Sequence, residues 1–73
     1  MPTNIRIYTI PRCGYCSRAK ALLNRKGLSY TEIPCVSAND LPKGLTTFPQ
    51  IYFGPRLVGG CDELYRLDAQ GAL

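Results

Sequence analysis

Ile5-Arg6-Ile7-Tyr8-Thr9-Ile10-Pro11-Arg12-Cys13-Gly14-Tyr15-Cys16-Ser17-Arg18-Ala19-Lys20-Ala21-Leu22-Leu23 is the stretch that decides the fold. Ile5–Ile10 alternates and is rich in β-branched and aromatic residues, so it reads as a strand. Ile5 and Ile7 share one face, Arg6 and Tyr8 the other. Pro11 stops it. Ala19, Leu22 and Leu23 then recur at helical spacing, with Cys16 one turn earlier on the same side. Between the two runs stands Arg12-Cys13-Gly14-Tyr15-Cys16. Two sulfurs three residues apart in the first turn of a helix face the same way and can close a small disulfide ring. They also meet unpaired backbone N–H groups and a partial positive charge, which favour a thiolate. Cys13, with Arg12 beside it, is the expected nucleophile. Cys16, deeper in the helix, is the expected resolving thiol. Taken alone, the pair suits either thiol–disulfide exchange or a metal.

Outward from that stretch, Gly27 closes a helix of about three turns. Leu28–Ile33 is a second strand, and strand, helix, strand at this spacing predicts a parallel βαβ unit. Pro34–Thr46 reads as a loop holding at most a short helix, capped by Ser37 or Asn39. Phe48–Phe53 and Arg56–Val58 form a hairpin about Gly54-Pro55. After Gly59-Gly60, Cys61–Asp68 reads as a last helix, with Leu64 and Leu67 inward and Gly71 at its end. The order β-α-β-loop-β-β-α predicts an α/β chain. Its fold is the minimal thioredoxin-like one, a four-stranded mixed sheet flanked by helices, with residues 1–73 as a single domain.

Composition narrows the chemistry. A chain of 73 residues buries only about 60% of its unfolded surface, so the core is small. Hydrophobic content of 45% and charged content of 19% belong to a globular chain, and no apolar run approaches the ~20 residues of a membrane span. Met1-Pro2-Thr3-Asn4 lacks the charged and apolar regions of a signal peptide, so a cytoplasmic location is expected, where a Cys pair is more often catalytic or metal-binding than structural. The net charge of +4 is dispersed, without a basic stripe interleaved with aromatics, which speaks against nucleic acid. Histidine is absent, which removes Cys-His zinc sites and Cys-His nucleophiles. With one Cys-x-x-Cys pair among four cysteines there is no zinc ribbon, and no metal site is expected.

Two further motifs complete a candidate site. A cis bond is expected before Pro49 in Thr47-Phe48-Pro49, which would leave the Phe48 backbone free to pair with a peptide-like substrate beside Cys13. In Gly59-Gly60-Cys61-Asp62, glycines allow close backbone approach, N–H groups at a helix start suit a carboxylate, and Asp62 suits an ammonium. An α-amino acid end carries both charges.

Cys13-Gly14-Tyr15-Cys16, Ala19-Lys20-x-Leu22-Leu23, Tyr30-x-Glu32-Ile33, Thr47-Phe48-Pro49-Gln50-Ile51 and Gly59-Gly60-Cys61-Asp62-Glu63-Leu64 together resemble the dithiol glutaredoxins, the bacterial class above all. The resemblance implies a thiol–disulfide oxidoreductase that draws electrons from glutathione and acts on protein disulfides and glutathione mixed disulfides. It implies glutathione contacts from Arg12, Tyr15, Thr47, Phe48, Pro49, Gly60, Cys61 and Asp62. It also brings ribonucleotide reductase to mind as a client. The chain departs from the family pattern at several places. Gly14 stands where proline is usual, Ile10 where lysine is frequent, Arg12 where glycine is common and Thr46 where a basic residue is frequent. Residues 34–46 are too few for the usual second helix, and the last helix ends early at Leu73. Such trimming fits a phage or another compact genome.

Two other functions stay open at this level. One is carriage of a [2Fe–2S] cluster by a glutathione-bridged homodimer, with Cys13 as each protomer's ligand; otherwise a monomer is expected. The other is a redoxin fed by thioredoxin reductase. Cys35 and Cys61 are each expected to be a small buried or half-buried apolar residue; the alternative for Cys35, in the loop, is exposure enough for glutathionylation.

Overall fold

The computed structural model describes residues 4–73. The signal-peptide reading rests largely on Met1, Pro2 and Thr3, which lie outside the described residues. β1 is Ile5–Thr9, α1 Gly14–Arg25, β2 Tyr30–Pro34, β3 Gln50–Phe53, β4 Arg56–Gly59 and α2 Cys61–Ala69; a single 3-10 turn, Ala38–Asp40, interrupts the connection from β2 to β3. The sheet runs β2-β1-β3-β4. β1 pairs in parallel with β2, Ile7 opposite Glu32, and antiparallel with β3, Ile7 opposite Ile51. β3 and β4 pair antiparallel, with an irregularity between Ile51 and Tyr52. This is the thioredoxin-like fold expected from the sequence.

The alternation of β1 sets the layers. Ile5 and Ile7 point inward with Ile51, and Ala19, Leu22 and Leu23 of α1 and Cys61 and Leu64 of α2 cover them. Both helices therefore lie on one face of the sheet. Leu22 and Leu64 are fully buried, and truncating either to alanine costs about 2–5 kcal/mol. On the other face Arg6 lies 4.9 Å from the Tyr52 ring centroid and donates to the Gly54 carbonyl at 3.1 Å, while Tyr8 meets Tyr52 edge-on. The short segment after β2 supplies only its 3-10 turn, capped by the Ser37 hydroxyl.

Both helices end in the same way. Gly27 and Gly71 take φ of 71° and 73°. The amides of Gly27 and Leu28 donate to the carbonyls of Asn24 and Leu23; those of Gly71 and Ala72 donate to Asp68 and Leu67. This pattern satisfies carbonyls the helix leaves open and needs a left-handed residue. It also explains why β2 starts at Tyr30 rather than Leu28, whose amide belongs to the helix end. β3 begins at Gln50 rather than Phe48, because Pro49 has no N–H for the ladder. Lys26 and Asp68 pair at 2.7 Å across the two helix ends, a half-exposed contact of small worth.

Candidate active site

The turn after β1 delivers Cys13 to the start of α1. Cys13 caps the helix with an extended backbone, φ −107° and ψ 107°, and its Sγ accepts the Cys16 amide at 3.1 Å. The first turn carries no acidic residue, so the positive end of α1 is left to the sulfur. Cys13 is half-exposed; Cys16 is 2% exposed. Burial, and then the contact with Cys13, pushes the Cys16 thiol up to about 11. The pair is thus unequal: one reachable sulfur at a helix end, and one buried thiol held protonated beneath it. Both are free thiols here.

The peptide bond before Pro49 is cis, as the sequence motif led us to expect. The Gln50 side-chain Nε2 donates to the Thr47 carbonyl at 3.1 Å and hydroxyl at 3.0 Å, which fixes the turn around it. The third motif closes on itself. The Gly60 amide donates to a Glu63 carboxylate oxygen at 2.7 Å. A Cβ on Gly59, at φ 122°, would lie 2.8 Å from that same side chain. The backbone therefore favours glycine there, and a side chain would also displace Glu63 from its bond to Gly60. Glu63 completes half of a capping box; Gly60 has no side chain to return the bond.

Two open grooves flank the start of α1. One, of about 360 Å³, is lined by Tyr15, Thr47 to Gln50 and Gly59 to Glu63. It brings together Tyr15, Thr47, Phe48, Pro49, Gly60, Cys61 and Asp62, all expected from the sequence as one site. The other, of about 470 Å³, is lined by Thr9 to Gly14, by Cys16, Ser17 and Lys20, and by Glu32 and Pro34 of β2. Arg12, like Cys13, lines this second groove and not the first. Arg12 is also the only described non-glycine residue with positive φ, 61°.

Several residues of the site were not foreseen. Across the Arg12 groove, Lys20 pairs with Glu32 at 3.1 Å and the Thr9 hydroxyl donates to the same Glu32 oxygen at 2.7 Å. The Thr9 hydrogen bond, then Lys20, holds the Glu32 carboxyl below its ordinary range. The cap by Glu63 and the Gln50 bonds were also missed. Arg18 lies 5.9 Å from the Tyr15 ring centroid and 5.7 Å from that of Tyr65, so Tyr15 is backed by a cation on its helix. Cys35 is buried, as expected, and not an exposed loop thiol: it is 4% exposed, its thiol donates to the Ile33 carbonyl at 3.5 Å, and burial raises it. Cys61 is buried and raised for the same reason. Among the described residues no group of three or more His, Cys, Asp or Glu is placed to hold a metal ion. No helix among them is long and apolar enough to cross a membrane.

Comparison with known proteins gives these features a context. The sequence profile described as Glutaredoxin matches residues 5–58. The chain is 47% identical to glutaredoxin 3 of Escherichia coli K12 over 76 aligned positions, spanning 96% of this chain and 92% of that protein. Its fold is similar to the solution structure of a glutaredoxin from Brucella melitensis, at 46% identity and a TM-score of 0.77, covering 94% of this chain and 82% of the other. It is also similar to a buckwheat glutaredoxin–glutathione complex, at 26% identity and a TM-score of 0.79, covering 94% and 71%.

Proposed function

The chain belongs to the glutaredoxin family, and from that premise we propose that it reduces protein disulfides and glutathione mixed disulfides through Cys13 and Cys16, with glutathione as reductant. That it is a glutaredoxin-type oxidoreductase follows from the family. The roles of its residues rest on one observation: of the two sulfurs, only Cys13 is reachable, and it sits at a helix start free of competing acids.

In this reading the Cys13 thiolate attacks a client disulfide, one client sulfur joins Cys13 and the other leaves as a thiolate that takes up a proton. Cys16 gives up its proton, attacks the Cys13 sulfur and releases the second client thiol. Two electrons have passed to the client and the protein holds a Cys13–Cys16 disulfide. Glutathione attacks at Cys13, freeing the Cys16 thiol. A second glutathione takes the first off as glutathione disulfide and restores the Cys13 thiolate. Burial suits Cys16 to this order. A thiol held protonated until the mixed disulfide forms does not compete for outside disulfides.

The groove from Tyr15 to Asp62 suits glutathione. The Phe48 backbone would pair with its cysteine part and Tyr15 would flank it. Thr47 and Pro49 form the wall. Since the Gly60 amide is already taken by Glu63, the free N–H groups of the first turn of α2, that of Cys61 first, would take the γ-glutamyl carboxylate, with exposed Asp62 opposite its ammonium. The buckwheat protein, solved with glutathione, supports this ligand class. One core drawing on both helices and β1 and β3 supports a single domain. A cytoplasmic location and clients such as ribonucleotide reductase accompany this reading.

The test uses two variants. Cys16→Ser keeps turnover of a glutathione mixed disulfide and loses most reduction of a protein disulfide; Cys13→Ser loses both. Retention of either activity by Cys13→Ser would overturn the assignment. Turnover with glutathione and its reductase, set against thioredoxin reductase, separates the rival electron donor.

Cluster carriage is the second reading, favoured by the one half-exposed sulfur. With Cys16, Cys35 and Cys61 buried, each protomer brings only Cys13 as ligand. That donor set fits a [2Fe–2S] cluster only if glutathione supplies the remaining thiolates between two copies. Anaerobic purification yielding a colourless monomer would dismiss it.

A further inference from the structure

We propose that Arg12 is a specificity residue for the client, selecting polypeptides that carry acidic side chains beside the disulfide to be reduced. The proposal rests on the reading of Cys13 as nucleophile.

Three observations carry it. The first is placement. Arg12 precedes Cys13 and lines the groove of about 470 Å³ on the side of Lys20 and Glu32, away from the groove that gathers Tyr15, Pro49 and Asp62. A client joined to Cys13 extends on both sides of its half-cystine, and one arm passes over this second groove. The second is charge. Lys20 is paired with Glu32, Lys26 with Asp68, Arg6 lies on Tyr52 and the Gly54 carbonyl, and Arg18 lies between two tyrosine rings. Arg12 makes no ion pair or side-chain hydrogen bond among the described residues. In its groove the Lys20 and Glu32 charges cancel, and the first turn of α1 has no acid. The charge presented next to the nucleophile is therefore one uncompensated guanidinium at the positive end of a helix. A guanidinium offers a planar fork of donors that matches a carboxylate. The third is backbone. At φ 61° an arginine is disfavoured and a glycine is not. An exposed side chain that forms no ion pair or hydrogen bond among the described residues, yet is kept in that conformation, points to a use outside the fold.

The exchange is the one already described: the client disulfide accepts two electrons and two protons, and the Cys13–Cys16 dithiol becomes the disulfide. Arg12 takes no part in bond making. It raises the local concentration of acidic segments and steadies the mixed disulfide.

The experiment is single-turnover reduction by the pre-reduced protein, without glutathione. Two synthetic cyclic peptides, each closed by one disulfide, serve as clients; they differ only in two glutamates or two lysines flanking one cysteine. The glutamate peptide is expected to react about fivefold faster, the scale of one partly exposed ion pair, with the preference shrinking at high salt. R12G, which suits the left-handed backbone, abolishes the preference, and R12E reverses it. Equal rates for both peptides with the unaltered protein overturn the proposal while leaving the Cys13 reading intact. Reduction of neither peptide overturns the Cys13 reading. If R12G leaves the peptide preference and instead raises the KM for glutathione, Arg12 serves glutathione and the proposal falls.

Discussion

The two helix starts of this molecule are built from similar parts to opposite ends. Each follows a strand and carries a cysteine in its first residues. At α1 the cap is Cys13 itself, its sulfur accepting the Cys16 amide, and no carboxylate stands in the first turn. At α2 the cap is Gly60, whose amide is closed by Glu63, and Asp62 and Glu63 both balance the helix charge. Cys13 is half-exposed; Cys61 is buried in the core with its thiol raised by that burial. On the proposed reading of Cys13, the difference teaches that a helix start suits a reactive sulfur when no carboxylate answers its open N–H groups and solvent and substrate reach it. Where a glutamate answers one of them and the core takes the cysteine, the remaining backbone donors suit a small anionic ligand and the thiol becomes packing.

Breaking this contrast should give effects of very different size. Cys13→Ser should lower turnover on the order of a thousandfold or more, as removal of a nucleophile does, measured by coupled glutathione oxidation. Glu63→Ala should leave the thiols in place but remove the cap of α2. A loss of about 1 kcal/mol is expected, read as a fall in Tm of roughly 4–8 °C. An unchanged Tm would deny Glu63 its part in the contrast. The third expectation concerns pH. In the reduced protein burial lifts Cys16 from an ordinary 9.0 to about 11. A pKa raised on folding contributes stability that is complete below the unfolded value and is lost as pH rises, here from about 9 to about 11. Urea unfolding across that window should show the decline, and Cys16→Ser should lessen it, the buried Cys35 and Cys61 keeping a part; equal slopes for both proteins would refute the burial effect. The smallest effect belongs to Cys61→Ala. Its amide remains, so the KM for glutathione should rise less than about threefold while core packing loses about 1 kcal/mol. A collapse of activity in this variant would merge the two helix starts into one reactive site.

Much of this was legible in the chain because it depends on local spacing. Ile5 and Ile7, the Ala19, Leu22 and Leu23 stripe, and Gly27 and Gly71 announce strand, helix and helix ends through the 2.0 and 3.6 periods and the need for positive φ. The grouping of Tyr15 with Pro49 and Asp62 rested on the resemblance to the glutaredoxins. What stayed hidden depends on register or on unusual backbone. The Lys20, Glu32 and Thr9 cluster exists because β2 sets Glu32 opposite Ile7 in parallel, which periodicity does not fix. The seating of Arg12 follows from a left-handed turn that no spacing rule assigns to arginine. The link from Gly60 to Glu63 had a detectable signature, a glutamate three residues after the cap, but glycine masks half of it.

Gly14 has one more consequence. It is the first residue of α1, and nothing stands within 4 Å of where its Cβ would lie. Cys13 before it already holds an extended backbone close to what a following proline demands. The place is open to a stiffer residue and is filled by the most pliable one. Glycine gives the unfolded dithiol chain extra conformational entropy between its two sulfurs. Closing the Cys13–Cys16 ring takes part of that entropy away. Ring closure and folding are then thermodynamically reciprocal: what the ring adds to the fold, the fold adds to the ring. If the Cys13–Cys16 pair cycles as proposed, the firmness of this small fold is coupled to its electron content, and the pliable Gly14 sets part of that coupling.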